Sequence, residues 1–384
     1  MANKEAGVTS STNVGSLKRK FSNSEEECNN KREGEPSLSI LNLDIPSISK
    51  DWDDQLLLNL HVEVVPGVFT PYVVFSSYPD FLENQKNKRS ELIAMMNDAL
   101  SERKILLDCY NHAMENIINL DYEHIDHVPV YRVKELYENT KTLNKLAWRD
   151  WKKQLTESDF KTIRGLKEKC RRLQQKVNDF LWQLLYIVDR RQLPEPEELS
   201  EGMFQELFMR FARIFELGLV GAPNVGCYTF KVNGKEISSV PDALVINPCK
   251  KNSLLAVVKV TKTYKKEIDL EAQKKMRKVI KVQNPTEHVD TNLKCQHIGD
   301  ILSVLRCSLF GPTGMFGFVV QATEVTVVAF ATDKNYIQYI KTGLFPEQDC
   351  ATVKYSEKCN ILSKKGRHKL VKTFLDMATL MKYM

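Results

Sequence analysis

The sequence predicts an α+β or α/β chain: a helical arm in the N-terminal half, followed by a mixed β-sheet flanked by helices. Three observations carry that prediction. Apolar residues recur at helical spacing through most of residues 88–191, β-branched runs separated by turn residues fill much of 228–332, and a helical stretch at about 292–306 interrupts those runs. With 384 residues, 42% of them hydrophobic, the chain is long enough for about two domains with cores of their own. No apolar run approaches the roughly 18 residues of a membrane helix, and the opening MANKEAGVTSSTN lacks the apolar stretch of a secretory signal. The expectation is a soluble intracellular protein with no membrane partner. Nine cysteines without a CxxC pair argue against a disulfide framework or a zinc ribbon and read as reduced, mostly buried thiols. The balance of 55 basic against 49 acidic residues, a net charge of +6, is too mild to show nucleic-acid binding by itself.

Residues 1 to about 50 hold nine serines, six asparagines and one aromatic, Phe21, too little apolar surface to offset the entropy of ordering. This is read as a disordered tail. Its two basic clusters, Lys18-Arg19-Lys20 and Lys31-Arg32, have the spacing of a bipartite nuclear localisation signal, and the plain alternative is a solvated charge run. From Gln55 to Phe75, β-branched residues around Pro66-Gly67 suggest a short hairpin or an extended lead-in. Helices are expected at about 88–119 and 130–155. Between 156 and 191 the apolar residues Ile163, Leu166, Cys170, Leu173, Val177, Phe180, Leu184 and Ile187 form a heptad seam. The seam would either associate with another copy or a protein partner through residues 160–190, or pack on the preceding helices as an intramolecular bundle; three nearby helices favour the bundle. Pro194 and Pro196 close the arm.

Beyond Pro196 a helix at about 199–217 is followed by CYTFKV, the turn pair Asn233-Gly234, EISSVPDALVIN and LLAVVKVT. Asn-Gly between strand-like runs is a hairpin signal, because both central residues of a type I′ turn need positive φ. FGFVVQ and VTVVAFA make a second hairpin, and YIQYI starts a short helix. The resulting division is a tail (1–50), a lead-in and helical or coiled-coil-like arm (51–196), an α/β domain (197–345) and a basic tail with a terminal helix (346–384).

The segment SSVPDALVINPCKKNSLLAVVKV carries the chemistry, with Pro241-Asp242 on one strand and Lys259 on the next. Adjacent strands bring an acid and an amine to one end of a sheet. Phosphodiester hydrolysis needs a hard divalent cation on oxygen ligands and a group to position the nucleophile, and Asp242 and Lys259 are of the right types. The order of helix, PD strand, lysine strand and a helix opening with glutamine resembles the PD-(D/E)xK nuclease superfamily, the restriction-endonuclease-like fold, over about residues 198–332. The resemblance implies a nuclease with Mg²⁺ or Mn²⁺ held by Asp242 and by the Val258 backbone carbonyl, and with Lys259 orienting water. The family's second acid falls on Val257, so one metal ligand is missing and the site is incomplete. A glutamate on the first helix serves many members, and helical phase favours Glu201, which extends the stripe Phe204, Phe208, Phe211 and Phe215, over Glu206. Gln296 and Asp300, four residues apart, resemble the family's Q-x-x-x-(E/Y) helix, with Gln296 in contact with DNA or the site.

Singly, each of these residues also has a structural reading: Asp242 as a turn or cap residue, Lys259 on a solvated strand face, Glu201 at a helix N-terminus. His124 and His127 lack a third ligand and read as surface. From Lys259 to Lys281 nine basic residues face three acids, and Lys262, Lys265, Lys266, Lys274, Lys275, Arg277 and Lys278 would attract a phosphate backbone. Lys364, Lys365, Arg367 and Lys369 form a second basic cluster. The functional expectation is a nuclear, DNA- or RNA-associated nuclease-like protein. Its alternative is an inactive nuclease-fold scaffold that recruits a partner through the heptad helix.

Overall fold

The computed structural model describes residues 45–82, 85–142, 157–158, 165–193, 198–247, 250, 253–262, 289–346 and 350–384. The localisation clusters Lys18-Arg19-Lys20 and Lys31-Arg32, and the basic residues 265–281, lie outside them. The segment from Gln55 to Phe75 is neither the expected hairpin nor an extended lead-in but a helix, a strand and a second short helix. Asp53 accepts from the Leu56 amide and caps α1 (Asp54–Asn59), then β1 (Val62–Val64) and α2 (Pro71–Phe75) follow. The Leu56, Leu57 and Leu60 side chains are buried at helical spacing, and Pro71 occupies the first turn of α2, where its missing N–H costs nothing. The strand β1 has no hairpin partner; it pairs in parallel with β9, 289 positions on from Val62 to Ala351.

The helices are α3 (Lys86–Asp98), α4 (Leu100–His112), α5 (Val130–Thr142), α6 (Leu166–Arg191) and α7 (Glu201–Ile214). After them come β2 (Gly218–Gly221), the hairpin β3 (Tyr228–Val232) and β4 (Lys235–Ser239), β5 (Ala243–Ile246), β6 (Leu254–Thr261) and α8 (Thr291–Val304). The chain ends with β7 (Gly314–Gln321), β8 (Glu324–Thr332), α9 (Tyr336–Thr342), β9 (Ala351–Tyr355), β10 (Cys359–Asn360) and α10 (Lys364–Tyr383). Asn233 and Gly234 have φ of 47° and 76°, so the expected two-residue turn closes β3 on β4.

One mixed sheet of order β1-β9-β8-β7-β6-β5-β2, with β10 beside β8, forms the centre. β6 pairs in parallel with β7 and β1 with β9; the other pairs are antiparallel. Both faces are covered, which is why β6 to β8 read as nearly continuous apolar runs. One layer joins Val258, Phe316, Phe318 and Val327 to α4, α6, α7 and α10, with Phe208, Phe211, Phe215 and Phe374 in mutual ring contact or on Phe318. The other joins Leu244, Val257, Val319 and Val328 to α1, α8 and α9.

The heptad seam turns inward. Leu173, Val177, Phe180, Leu184 and Ile187 are buried in the same core as Phe204 and Phe211 of α7, so these positions are not open to a second copy. The exposed aromatics of α6 are Trp182 and Tyr186 on its outer side, stacked at 5.9 Å with Arg210 and Arg190 over their rings. The expected basic tail is also core: Val353 and Tyr355 of β9 and Phe374 and Leu380 of α10 are buried. Its basic cluster is largely spent on internal partners. Arg367 is 0% exposed and donates to the carbonyls of Met114, Leu120, Ile361 and Leu362, and burial lowers its pKa to about 10. Lys369 pairs with Glu357 at 2.5 Å and Lys364 with Glu115 at 3.9 Å. Among the described residues, no helix is long and apolar enough to cross a membrane.

Arg367→Leu removes the donors for four carbonyls that hold the 114–120 and 361–362 segments to α10. We expect it to lower unfolding free energy in urea by about 3 kcal/mol or more, whereas Lys365→Ala next to it changes stability by no more than about 0.5 kcal/mol.

Candidate functional site

The sheet brings Asp242 and Lys259 together. Ala243 is in register with Val258, so Asp242 and Lys259 form the next pair toward the end of the two strands, in phase with Leu244 and Val257. Lys259 Nζ lies 3.4 Å from Asp242 Oδ2. The same Asp242 oxygen accepts from the Val260 amide at 2.7 Å. The turn that carries Asp242 is fixed from α7, where Gln205 donates to the Asp242 carbonyl at 2.7 Å, and from the end of β2, where the Ala222 amide donates to it at 3.2 Å. Gly221 leaves room for this, because a Cβ there would fall 2.3 Å from Gln205 Nε2.

A third charged group completes the cluster. Asp300 in α8, 2% exposed, places Oδ2 3.8 Å from Lys259 Nζ, while its Oδ1 accepts from the hydroxyls of Ser239 and Ser49. Burial pushes the Asp300 carboxyl up to about 6, against the pull of Lys259 and Ser239, and Asp242 adds to the upward push. Burial alone would depress the Lys259 ammonium, but Asp300, Asp242 and, more weakly, Glu201 outweigh it and hold the group above its ordinary range. At neutral pH the lysine is charged between two carboxylates.

The remaining expected residues divide. Glu201 stands exposed in the first turn of α7 and acts on Lys259 through its field, while Glu206 is taken by Arg210 at 2.8 Å and Arg213 at 3.8 Å. Val258 points its side chain into the opposite layer, in register with Ala243 and Phe318. Val257, at the second acid position, is 0% exposed against α8 and in register with Gly317. Gln296 does not reach the site: its amide donates to the Lys50 carbonyl at 3.1 Å. The reason is that α8 turns the face of His297, Asp300 and Ile301 to the sheet, one position on from Gln296. Lys262 is paired with Glu198 and so is less available to a phosphate backbone than its sequence suggests. His124 and His127 are exposed, with ring centroids 5.6 Å apart, and Asp126 between them pairs with Arg191.

Several site residues escape the sequence reading. His297 is fully buried, lies 3.2 Å from the Val257 carbonyl, and is pushed down to about 4 by burial, so its ring is neutral. Its fit depends on Gly317, where a Cβ would meet the ring at 2.3 Å. Ser239 sits three residues before Asp242, close enough in sequence to have been suspected; Ser49 comes from a segment that pairs with β4 through Ile48 and Ser238, which no local signal announces. Cys295 and Cys359 are pushed up to about 12 by burial, which leaves them protonated and poor nucleophiles.

Among the described residues, no group of three or more His, Cys, Asp or Glu side chains is arranged to hold a metal ion. Asp242 and Asp300 face each other across the Lys259 ammonium, and a dication placed between them would meet that positive charge. As it stands, the cluster does not fit Mg²⁺ or Mn²⁺. No protein-family model, curated protein or solved structure matches the chain.

The sign of the Asp300 contribution to stability follows from its raised pKa. The unfolded carboxyl ionises near the ordinary 3.8 and the folded one near 6, so between these values the folded state binds more protons. The contribution is full below about pH 4 and is lost as pH rises through about 6. We therefore expect the stability difference between wild type and Asp300→Asn to move against wild type by about 2 to 3 kcal/mol between pH 4 and 7, measured by urea denaturation across pH. A difference independent of pH would show that Asp300 ionises normally in the folded state.

Proposed function

We propose that residues 198–332 form a PD-(D/E)xK-type core that binds nucleic acid without cutting it. The observation that carries this reading is the placement of Lys259 between Asp242 and Asp300, with Val257 buried where the second metal ligand would stand. The order of elements supports the fold part of the proposal: α7, then β2 antiparallel to β5, β5 antiparallel to β6, then α8 and β7 parallel to β6. The β3–β4 hairpin is an insertion between β2 and β5 in this scheme. In such a core the acid and lysine act as an ion pair that closes the end of the sheet, and their chemistry is structural.

Binding rests on the basic run that follows β6. Lys265, Lys266, Lys274, Lys275, Arg277 and Lys278 supply charge for a phosphate backbone, read without regard to sequence. The clusters at residues 18–20 and 31–32 would direct the protein to the nucleus. A partner-binding scaffold remains a second reading, favoured by the stacked and exposed Trp182 and Tyr186 on the outer face of α6, since tryptophan, tyrosine and arginine dominate interface hot spots.

The test uses the full chain with labelled single-stranded and duplex DNA and RNA, followed by anisotropy at increasing salt and by a cleavage assay in Mn²⁺. Expected is salt-dependent binding that weakens about tenfold or more when Lys274, Lys275, Arg277 and Lys278 are changed together to Gln, no cleavage, and the same Mn²⁺ calorimetry for wild type and Asp242→Ala. Mn²⁺-dependent cleavage abolished by both Asp242→Ala and Lys259→Ala would overturn the non-cutting reading. Loss of that cleavage in Asp300→Asn as well would then identify Asp300 as the second acid. Absence of binding at low salt would remove nucleic acid from the proposal and leave the scaffold.

A further inference from the structure

The inner seam of α6 is spent on the core, but the opposite side of the same helix carries a second periodic stripe. Arg172, Gln175, Asp179, Trp182, Tyr186 and Arg190 follow one another at steps of 3, 4, 3, 4 and 4 and lie on its outer side. Trp182 is 44% exposed and Tyr186, one turn on, 37%. Tryptophan is highly buried on average, so its exposure beside a second aromatic marks a contact surface.

The charges around the aromatic pair largely cancel. Glu168 holds Arg172 at 3.1 Å, Glu206 of α7 holds Arg210 at 2.8 Å, and Asp179 offsets Arg190. No strong positive field is left to draw a phosphate backbone. The rings are also engaged, with Arg190 over Tyr186 at 4.6 Å and Arg210 over Trp182 at 5.1 Å, where a nucleic-acid base would have to stack.

What the stripe does match is a copy of itself. Laid antiparallel about a two-fold axis between the helices, α6 sets Trp182 against the partner's Tyr186. The same register brings Asp179 level with the partner's Arg190 to within one residue, about 1.5 Å along the axis. Asp179 and Arg190 are about 20° apart in helical phase, so they share a flank, and this symmetry lays each flank on the same flank of the partner. Each contact occurs twice, as an isologous interface requires. A parallel arrangement lacks the match, since it would set Asp179 level with Asp179 and Arg190 level with Arg190.

We propose that the chain forms a two-fold dimer through the outer face of α6, the helices antiparallel, with Trp182 on the partner's Tyr186 and Asp179 paired with the partner's Arg190. The proposal rests on the same aromatic pair as the scaffold reading and names its partner, and it holds whether or not the chain binds nucleic acid. Dimerisation is read by sedimentation and nucleic-acid binding by anisotropy, so either can fail alone.

Sedimentation equilibrium of the full chain tests it, with a monomer–dimer equilibrium expected for wild type. Trp182→Ala, shown to be folded by unchanged far-ultraviolet circular dichroism, should weaken dimerisation about thirtyfold or more, the effect of losing a central interface tryptophan. Asp179→Arg opposes two arginines and Arg190→Asp opposes two aspartates, so each variant alone should be monomeric. Mixed in equal amounts, the two should recover a heterodimer, because both contacts between them are again arginine on aspartate. A wild-type chain that stays monomeric at about 0.1 mM overturns the proposal. So does a dimer that Trp182→Ala leaves intact, or a mixture of the charge variants that stays monomeric while wild type dimerises. A monomer whose binding to single-stranded DNA is lost in Trp182→Ala would also overturn it, in favour of nucleic acid on this face.

Discussion

A strand buried on both faces can carry a charge only near its end and only with its counter-charges in place. β6 is such a strand: Leu255, Ala256, Val257 and Val258 are all sealed, and Lys259 follows directly, its side chain 16% exposed. An isolated ammonium there would cost several kcal/mol of lost hydration. Asp242 and Asp300 remove most of that cost, and to do so they must arrive from two different elements. Asp242 is brought by the β5 register and held by Gln205 and Val260; Asp300 is brought by α8 and held by Ser239 and Ser49. The position of α7, of the hairpin end and of the segment around Ser49 are thus all tied to one ammonium group.

This dependence explains what was legible in the sequence. Asp242 and Lys259 are legible because Asp242 directly precedes one apolar strand and Lys259 lies near the end of the next, and pairing of those strands places them side by side. The buried stripe of α7 does not extend back to Glu201, which is exposed although helical phase places it in line with Phe204, because the stripe is sealed by packing only from Phe204 onward. Asp300 was visible as a helix residue, but its depth was not: the phase of α8 against the sheet is set by His297 fitting over Gly317 and by Gly299 leaving room for Ser49 and Trp52. Those contacts join residues far apart in sequence, and they rotate Gln296 away from the site to which its motif had assigned it.

The larger misreadings have a common cause as well. Residues 55–75 read in sequence as a hairpin or extended lead-in and 346–384 as a basic tail with a terminal helix, since nothing local shows that both enter the core. Each is short of local signal because its partner is the other: β1 pairs with β9, and α2 packs beside α10. Arg367 shows the same limit for charge. A run of Lys, Arg and His looks like a surface patch in sequence, yet one member is fully buried and serves four carbonyls. The heptad seam was legible as a seam, and the fold decides only that its partner lies within the same chain.

The β1–β9 pairing also bears on how the molecule reaches this state. Val62 meets Ala351 across nearly the whole described chain, and β9 lies between β1 and β8 in the sheet. Until β9 is in place, β8 presents an unpaired apolar edge along Val328 to Thr332, and β1 has no neighbour at all. β9 can join β8 early, since their paired residues lie only 19 to 27 positions apart, whereas β1 can pair only after loop closure over 289 positions. An open edge of that kind is the sort of surface to which chaperones attach and from which misassembly between chains begins. The wide sequence separation that hides β1 from a reader of the sequence is therefore also a kinetic burden on the folding chain.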